Sequence, residues 1–166
     1  SEQALEYACM LQFYDLGWEC ANALQESEHA SFLGRSDLEE VVLTKYLTPR
    51  LKSLNPSAPQ VALDQAVQLL VEDRSVMQTV VANKEIYTAL KEGVKVTYLD
   101  DYGEQQTDRI KVIDWNKPSN NHFLIVSQMK IRGNLGNRIP DLLGFVNGIP
   151  LLFVELKAAH VNVKHA

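Results

Sequence analysis

The run IPDLLGFVNGIPLLFVELK, residues 139–157, carries most of the structural information in this chain. Two apolar segments, 142–146 and 150–156, flank Asn147-Gly148, a dipeptide typical of tight β-hairpins. The run therefore predicts two antiparallel strands joined by a short turn. An Asp stands at the start of the first strand, and a Glu and a Lys, two positions apart, stand at the end of the second.

Asp141, Glu155 and Lys157 form a candidate metal-dependent site. The period of two along a strand places Glu155 and Lys157 on the same face, after the apolar run 151–154 that is typical of a buried strand. Carboxylate oxygens suit Mg²⁺, and an adjacent Lys can orient or help to deprotonate a water on the metal. This set favours phosphodiester hydrolysis. The open alternative is a surface Glu–Lys pair on an edge strand, with Asp141 in a turn after a proline.

The register of the hairpin decides whether Asp141 joins Glu155. A strict two-residue turn at Asn147-Gly148 without a bulge pairs Asp141 with Val154, so that the Asp141 side chain points away from Glu155. A three-residue turn with Gly148 left-handed pairs Asp141 with Phe153, on the Glu155 face. We therefore expect that three-residue turn with its bulge, or an equivalent bulge near Asp141.

Upstream of the hairpin, helical patterns come first and strand patterns follow. This order predicts an α+β or three-layer α/β/α-like domain with one core and a mixed, largely antiparallel sheet flanked by helices. The predicted helices are 1–16, 37–54, a segment that begins at Pro59, and 83–92, which Gly93 closes. The other predicted strands are 18–23, 94–99, 110–115 and 123–131.

A second candidate carboxylate lies on the predicted helix 37–54. Ser36 to Glu39 has the form of a capping box, and Glu40 falls within the stripe of leucines that begins at Leu43 and continues at helical spacing. A carboxylate on a core-facing stripe is costly unless it is paired or bound to a metal. The alternative is a solvated acidic residue in the first turn, where it favours the helix dipole.

The composition is that of an ordinary globular chain. It has 166 residues, of which 46% are apolar and 22% charged, so disorder and low-complexity classes are excluded. We expect no membrane span and no secretory leader, because no apolar run approaches the roughly 20 residues of a membrane helix. Cys9 and Cys20 make no disulfide framework, so we expect a reducing compartment, the cytoplasm.

The net charge of −5 divides unevenly along the chain. Residues 1–108 hold 8 Lys+Arg against 18 Asp+Glu, whereas residues 109–166 hold 8 against 3. The basic last third is compatible with a polyanionic partner and equally with scattered surface lysines.

Other candidate residues favour structural roles. We interpret Trp18 and Trp115 as packing residues on strands, and Gly133 and Gly136 as flanking a plain turn. The histidines show no zinc-ligand spacing with the cysteines and are expected in loops or tails; they are His29, His122, His160 and His165.

Residues 139–157 resemble the nuclease motif of the R (restriction) subunit of type I restriction enzymes, a branch of the PD-(D/E)xK nucleases. Four further segments resemble the N-terminal region of that subunit, so that the resemblance covers nearly the whole chain. They are SEQALEYACMLQFYDLGW, GRSDLEEVVLTKYLTPRLKSLNP, EGVKVTYLDDYGEQQTDRIKVIDWNKPSNNHF and LIVSQMKI.

The resemblance implies a restriction-endonuclease-like PD-(D/E)xK core. It implies that Asp141 and Glu155 bind Mg²⁺, that the carbonyl of Leu156 adds a ligand, and that Lys157 is the catalytic lysine. Glu40 is the candidate for the further acid that family members often place on the first core helix. The implied substrate is double-stranded DNA, cut with Mg²⁺ in a complex with modification (methyltransferase) and specificity subunits.

We therefore expect residues 1–166 to be a single nuclease domain from a longer protein. The helicase-like motor that uses ATP in full-length relatives is expected elsewhere, since no GxxxxGK[ST] loop occurs here. A Gln and Tyr element that some members carry beyond the lysine is also missing, so we expect the isolated chain to cut DNA weakly or not at all. The rival interpretations are a repair or recombination-type nuclease of the same fold, and a catalytically silent module for DNA docking or subunit assembly.

Overall fold

The structure is a computed structural model that describes residues 1–27, 31–72, 77–133 and 135–157. The chain divides into two compact units. Unit 1 comprises residues 1–43 and 122–166, and unit 2 comprises residues 44–121. The interpretation of residues 1–166 as one nuclease domain stays a prediction, because a compact unit is not the same as an independent domain.

Unit 1 is built on a four-stranded mixed sheet and one long helix. The strand order is β1-β4-β7-β8; β1 runs parallel to β4, and the other two pairings are antiparallel. A separate two-stranded hairpin, β5-β6, follows β4 in the chain. The elements of unit 1 are α1 (Glu2–Asp15), β1 (Glu19–Asn22), β4 (Phe123–Ser127), β5 (Ile131–Gly133), β6 (Gly136–Arg138), β7 (Leu142–Val146) and β8 (Ile149–Val154).

Helix α1 begins and ends as its sequence predicts. The Ser1 hydroxyl accepts a hydrogen bond from the Ala4 N–H at 3.3 Å, and the chain turns away at Gly17 with φ of +88°. Trp18 then packs edge-on against Phe13, with ring centroids 5.0 Å apart, and against Phe123 at 5.2 Å. The prediction that Trp18 is a packing residue is confirmed.

The core of unit 1 lies on the two central strands. Leu124, Ile125 and Val126 of β4 and Leu142 and Phe145 of β7 are fully buried. The edge strand β8 differs, because in the part of the chain that the structure describes it pairs with β7 alone. Its apolar run is exposed among the described residues, from 36% at Leu152 to 57% at Phe153, so the prediction of a buried strand there was wrong.

Unit 2 packs three helices with a two-stranded hairpin. Leu47 and Leu51, one helical turn apart on α2, are fully buried, as are Ala62 and Ala66 on α3 and Val96 on β2. Gly93 closes α4 with φ of +91°, where a side chain would meet the Ile110 carbonyl oxygen at 2.8 Å. The elements are α2 (Thr44–Leu54), α3 (Gln60–Val71), α4 (Thr79–Glu92), β2 (Val94–Leu99), β3 (Gln105–Ile110) and a 3₁₀ turn at Pro118–Asn120.

The prediction of one helix over 37–54 was wrong in its first part, since α2 begins at Thr44. Asp37 Oδ1 accepts hydrogen bonds from the N–H groups of Glu39 and Glu40, at 2.7 and 3.1 Å, which closes a local turn instead of a helix. The Leu43 N–H is also used outside the helix, donating to the Gly148 carbonyl at 2.8 Å. Side-chain capping of a turn and this tertiary bond overrode the helical pattern.

The predicted strand 110–115 was also wrong, because β3 ends where that prediction began. A turn over 100–104 pairs Leu99 with Gln105, so the polar residues after the turn form the strand. The Asp100 carboxylate holds this turn by accepting from the N–H groups of Tyr102 and Glu104, each at 2.9 Å. The position of β3 is thus set by the turn that precedes it and not by the hydrophobicity of its residues.

The α+β fold is confirmed: the described residues form four α-helices and a mixed sheet with antiparallel strands. In the described part of the chain, no helix has both the length and the hydrophobicity needed to cross a membrane.

Candidate active site at the β7–β8 hairpin

The β7–β8 hairpin turns in two residues and then corrects its register with a bulge. Val146 pairs with Ile149, so that Asn147 and Gly148 are the whole turn, with φ of +52° and +80°. The pairing then shifts between Gly144 and Phe145, with Leu151 as the extra residue on β8, and continues as Gly144 with Leu152. The predicted three-residue turn was therefore wrong, whereas the equivalent bulge that the site requires is present.

The bulge brings Asp141 beside Glu155. The last paired residues are Leu142 and Val154, so continuing the register by one residue sets Asp141 opposite Glu155, and directly opposed residues share a face. Without the bulge, Asp141 would oppose Val154. The one extra residue on β8, Leu151, thus decides whether the two carboxylates lie on the same face of the hairpin.

Asp141 is fixed by hydrogen bonds from the backbone just beyond the ends of β4 and β8. Its Oδ2 accepts from the Leu156 N–H at 2.6 Å, and its carbonyl oxygen accepts from the Gln128 N–H at 3.3 Å. The Asp141 side chain is half-buried, while Glu155 and Lys157 are exposed just beyond the end of β8. The structure thus places the Asp141 carboxylate against the backbone of Leu156, which lies between Glu155 and Lys157 in the chain.

Gln128, whose N–H bonds to the Asp141 carbonyl, also contacts the first helix. Its Nε2 donates to Glu6 Oε2 on α1 at 2.6 Å, and its φ is +58°, in the left-handed region that residues other than Gly rarely adopt. This Glu6–Gln128 link was missed in the sequence. The apolar residues of α1 do not form one face, and Leu5 and Leu11 are both more than 40% exposed, so periodicity gave no signal that Glu6 faces the sheet.

Glu40 lies in the turn before α2 and is engaged locally. Its Oε1 accepts hydrogen bonds from the N–H and hydroxyl groups of Ser36, and its carbonyl oxygen accepts from Arg35 Nη1 at 3.3 Å. The expected position on a core-facing helical stripe is therefore wrong. Its role as an acid of the site stays a prediction.

A buried ion pair stabilises the segment that carries Glu40. The side chains of Arg35 and Glu26 are 1% and 2% exposed and form a salt bridge, and Ser31 donates to the same carboxylate. Arg35 Nη2 also donates to the Lys130 carbonyl at 3.0 Å, which ties the loop to the strand region beside Gln128. Nothing in the spacing of these residues indicated the pair.

The donor set at Asp141 fits Mg²⁺. This ion is commonly held by one or two protein carboxylates, with waters and substrate phosphates completing the octahedron. Asp141 and Glu155 are of the type that would supply such a pair, and the Leu156 carbonyl, between Glu155 and Lys157 in the chain, would add a third hard oxygen. Within residues 1–27, 31–72, 77–133 and 135–157, no three His, Cys, Asp or Glu side chains cluster to hold a metal by themselves.

Some of the remaining candidates make structural contacts, and others lie outside the described residues. His122 Nε2 lies 2.7 Å from Glu19 Oε2, and Gly133 and Gly136 pair with each other across the β5–β6 hairpin, so the segment expected to be a plain turn has strands on both sides. His29, His160 and His165 fall outside the described residues.

The comparisons with known proteins agree with one another. A family model described as the N terminus of the type I restriction enzyme R protein matches residues 1–166. The chain is 35% identical over 158 residues to the type I restriction enzyme HindI endonuclease subunit of Haemophilus influenzae, covering 95% of this chain and 15% of that protein. It is 28% identical over 131 residues to a putative type I restriction enzyme MjaIXP endonuclease subunit of Methanocaldococcus jannaschii, covering 77% and 12%. The chain thus spans less than a sixth of these relatives.

Proposed function

The chain belongs to the family of type I restriction enzyme R protein N termini, and from that premise we propose that it is the Mg²⁺-dependent endonuclease domain of such a subunit. Its reaction is hydrolysis of phosphodiester bonds in double-stranded DNA during restriction–modification defence in the cytoplasm. ATP-driven translocation belongs to other parts of the full-length protein, and sequence recognition belongs to its modification and specificity partners. The observation that supports the proposal is the register shift in the β7–β8 hairpin, which, when the pairing is continued by one residue, puts Asp141 opposite Glu155.

Asp141, Glu155 and the Leu156 carbonyl would hold the metal in this reaction. The chemistry that Mg²⁺ supplies when bound is stabilisation of negative charge at the phosphoryl oxygens and a lower pKa for water. The hydrogen bond from the Leu156 N–H orients the Asp141 carboxylate before any ligand arrives, which reduces the reorganisation needed during catalysis. Lys157 orients the attacking water and neutralises charge on the phosphate.

The proposal is tested in the complete restriction complex. Asp141→Ala, Glu155→Ala and Lys157→Ala should each abolish Mg²⁺-dependent cleavage of duplex DNA while ATP hydrolysis is retained. Asp101→Ala removes an exposed acid from the β2–β3 turn and is the matched control, expected to cut like wild type. Unchanged cutting by the Asp141 variant would remove the assigned role.

A catalytically silent module for docking or assembly is the second candidate, because no three His, Cys, Asp or Glu side chains of the described residues cluster to hold a metal ion. Calorimetric titration of the chain with Mn²⁺, and then Mg²⁺, separates the two. The nuclease proposal expects saturable binding that Asp141→Asn and Glu155→Gln weaken at least tenfold, whereas wild-type-like heats in both variants favour the silent module.

A further inference from the structure

Unit 2 carries a cleft of 720 Å³ whose lining residues take no part in the candidate active site. One wall is the last two turns of α4, from Tyr87 to Lys91, and the other is the segment that follows β3, from Lys111 to Trp115. Val112 and Ile113 are buried beneath it, at 1% and 6% exposure. This volume falls within the roughly 300–1,000 Å³ typical of small-ligand sites.

Trp115 dominates the cleft, and the prediction that it is a packing residue on a strand was wrong. It lies in the loop after β3, and its side chain is 62% exposed. Its Nε1–H donates to the Leu90 carbonyl at 2.8 Å, one of the carbonyls that α4 leaves without a helical partner. With the polar atom of the indole already bonded, what Trp115 presents to solvent is an apolar ring.

The segment that carries Trp115 is held by side-chain hydrogen bonds. Asp114 accepts from the N–H groups of Asn116 and Lys117, at 3.1 and 3.0 Å, and from Asn120 Nδ2 at 2.9 Å. The Asn120 bond, followed by the Lys117 N–H, keeps the pKa of Asp114 below its ordinary value, so the carboxylate stays ionised and these bonds persist at neutral pH. A ring on so constrained a loop loses little conformational entropy when a ligand binds.

Cations line the same cleft as the ring. The Asn55 side-chain amide bonds both the N–H and the carbonyl of Lys111, each at 2.8 Å, and so fixes the backbone from which that ammonium extends. Lys91 Nζ lies 5.6 Å from the Tyr87 ring centroid on the opposite wall. Of the two acids in the lining, Glu92 faces Arg109 at 3.7 Å, and Asp114 is hydrogen-bonded within its own loop while it also attracts Lys111 electrostatically. In the described part of the chain, Lys91 and Lys111 are in no salt bridge.

We propose that this cleft binds a nucleotide with an unpaired base, the base stacking on Trp115 and the phosphate meeting Lys91 and Lys111. An exposed aromatic face with cations in the same cleft is the combination that single-stranded nucleic acids require. A protein partner fits less well, because lysines are depleted in protein–protein interfaces. Free nucleotides and single strands share this chemistry, and the experiment distinguishes them.

The experiment measures binding by the whole chain at low salt to three probes: fluorescein-labelled dT12, a blunt hairpin duplex of equal charge, and dAMP as competitor. We expect dT12 to bind more tightly than the duplex, because paired bases cannot stack on the ring. Stacking of one base is worth about 1–3 kcal/mol, so Trp115→Ala should weaken binding roughly 5- to 150-fold. Trp115→Phe, which keeps a ring, should recover part of the affinity.

Two variants of the same unit serve as controls. Tyr102→Ala removes a 91%-exposed aromatic ring from the β2–β3 turn, and Lys52→Gln removes an exposed cation from α2; each should leave affinity within about twofold. Lys111→Gln should weaken binding and lower its salt dependence by about 0.7 in the log–log slope.

Competition by dAMP at the affinity of dT12 would identify a free nucleotide as the ligand, and a requirement for the oligomer would identify a strand; both support the proposal. It is overturned if no probe binds, or if Trp115→Ala binds as wild type does while its melting temperature is unchanged. Because none of these readouts involves cleavage, the result is independent of the proposed nuclease chemistry.

Discussion

Gly144 is the position at which the β7–β8 bulge and the core meet, and Gly144→Ala should destabilise the protein. A Cβ there would lie 2.9 Å from Leu152 Cβ and 3.2 Å from Trp18 Cζ3, which is closer than packed carbon atoms approach. Overpacking of this kind costs about 1–3 kcal/mol, and the lower chain entropy of Ala offsets about 0.5–1 kcal/mol of it. The net loss is about 0–2.5 kcal/mol, with about 1 kcal/mol as the central value, which corresponds to a fall in Tm of up to about 10 °C for a chain of this size.

Urea unfolding followed by circular dichroism measures this loss. Gly133→Ala is the matched control in another strand, because its Cβ would meet only the Gly136 carbonyl oxygen, at an ordinary 3.7 Å. It should be neutral or slightly stabilising. In the double variant with Leu152→Gly, the penalty of Gly144→Ala should shrink, since its closest contact is removed. Equal stability of the two single Ala variants would refute the packing argument and, with it, the strand register on which Asp141 and Glu155 depend.

Three further predictions concern strain, burial and pH. Gln128→Ala should be less stable than Gln128→Gly by about 1 kcal/mol or more, because both lose the bond to Glu6 but only Ala keeps the left-handed strain; equal urea midpoints would place no strain there. Arg35→Met should cost about 3–5 kcal/mol by leaving a buried carboxylate unpaired, and replacing that carboxylate by Leu as well should recover much of it, as calorimetry would reveal. The pKa of Asp114 is lowered in the folded state, so the stability that its ionised carboxylate contributes is complete above about pH 4 and is lost as the pH falls through the lowered value. The fluorescence of Trp115 should therefore change in this acid range. The variant Asp114→Asn should remove that change.

The hairpin at Asn147-Gly148 shows which structural features the sequence predicts and which it does not. The dipeptide and its apolar flanks correctly predicted two antiparallel strands, and the separation of Asp141 from Glu155 correctly predicted that a bulge must intervene. The position of the bulge followed from neither. It depends on the close packing of Gly144 against Leu152 and Trp18, which is tertiary information.

The same limit explains the errors at the start of α2. Ser36 to Glu39 matched a capping box, but the carboxylate that closes the turn belongs to Asp37, and the N–H of Leu43 bonds to the Gly148 carbonyl far along the chain. Local patterns cannot reveal a competing partner more than 100 residues away. Glu6 escaped notice for a related reason, since only the backbone conformation of Gln128 directs that side chain toward α1.

Hydrogen bonds fix one part of the candidate site, Asp141, before any ligand binds, whereas within the described ranges the other side chains are not fixed in this way. Its carbonyl is bonded to the end of β4 and its carboxylate to the backbone just beyond β8, so both are positioned by the sheet before any ligand binds. Glu155 and Lys157 are exposed side chains beyond the paired residues of β8. Their conformational freedom must be lost when metal and phosphate bind, at roughly 0.5–1.5 kcal/mol for each immobilised side chain. An element that packs against the end of β8 would reduce that loss, which is why the nuclease proposal expects full activity in the complete complex and weak or no activity in the isolated chain.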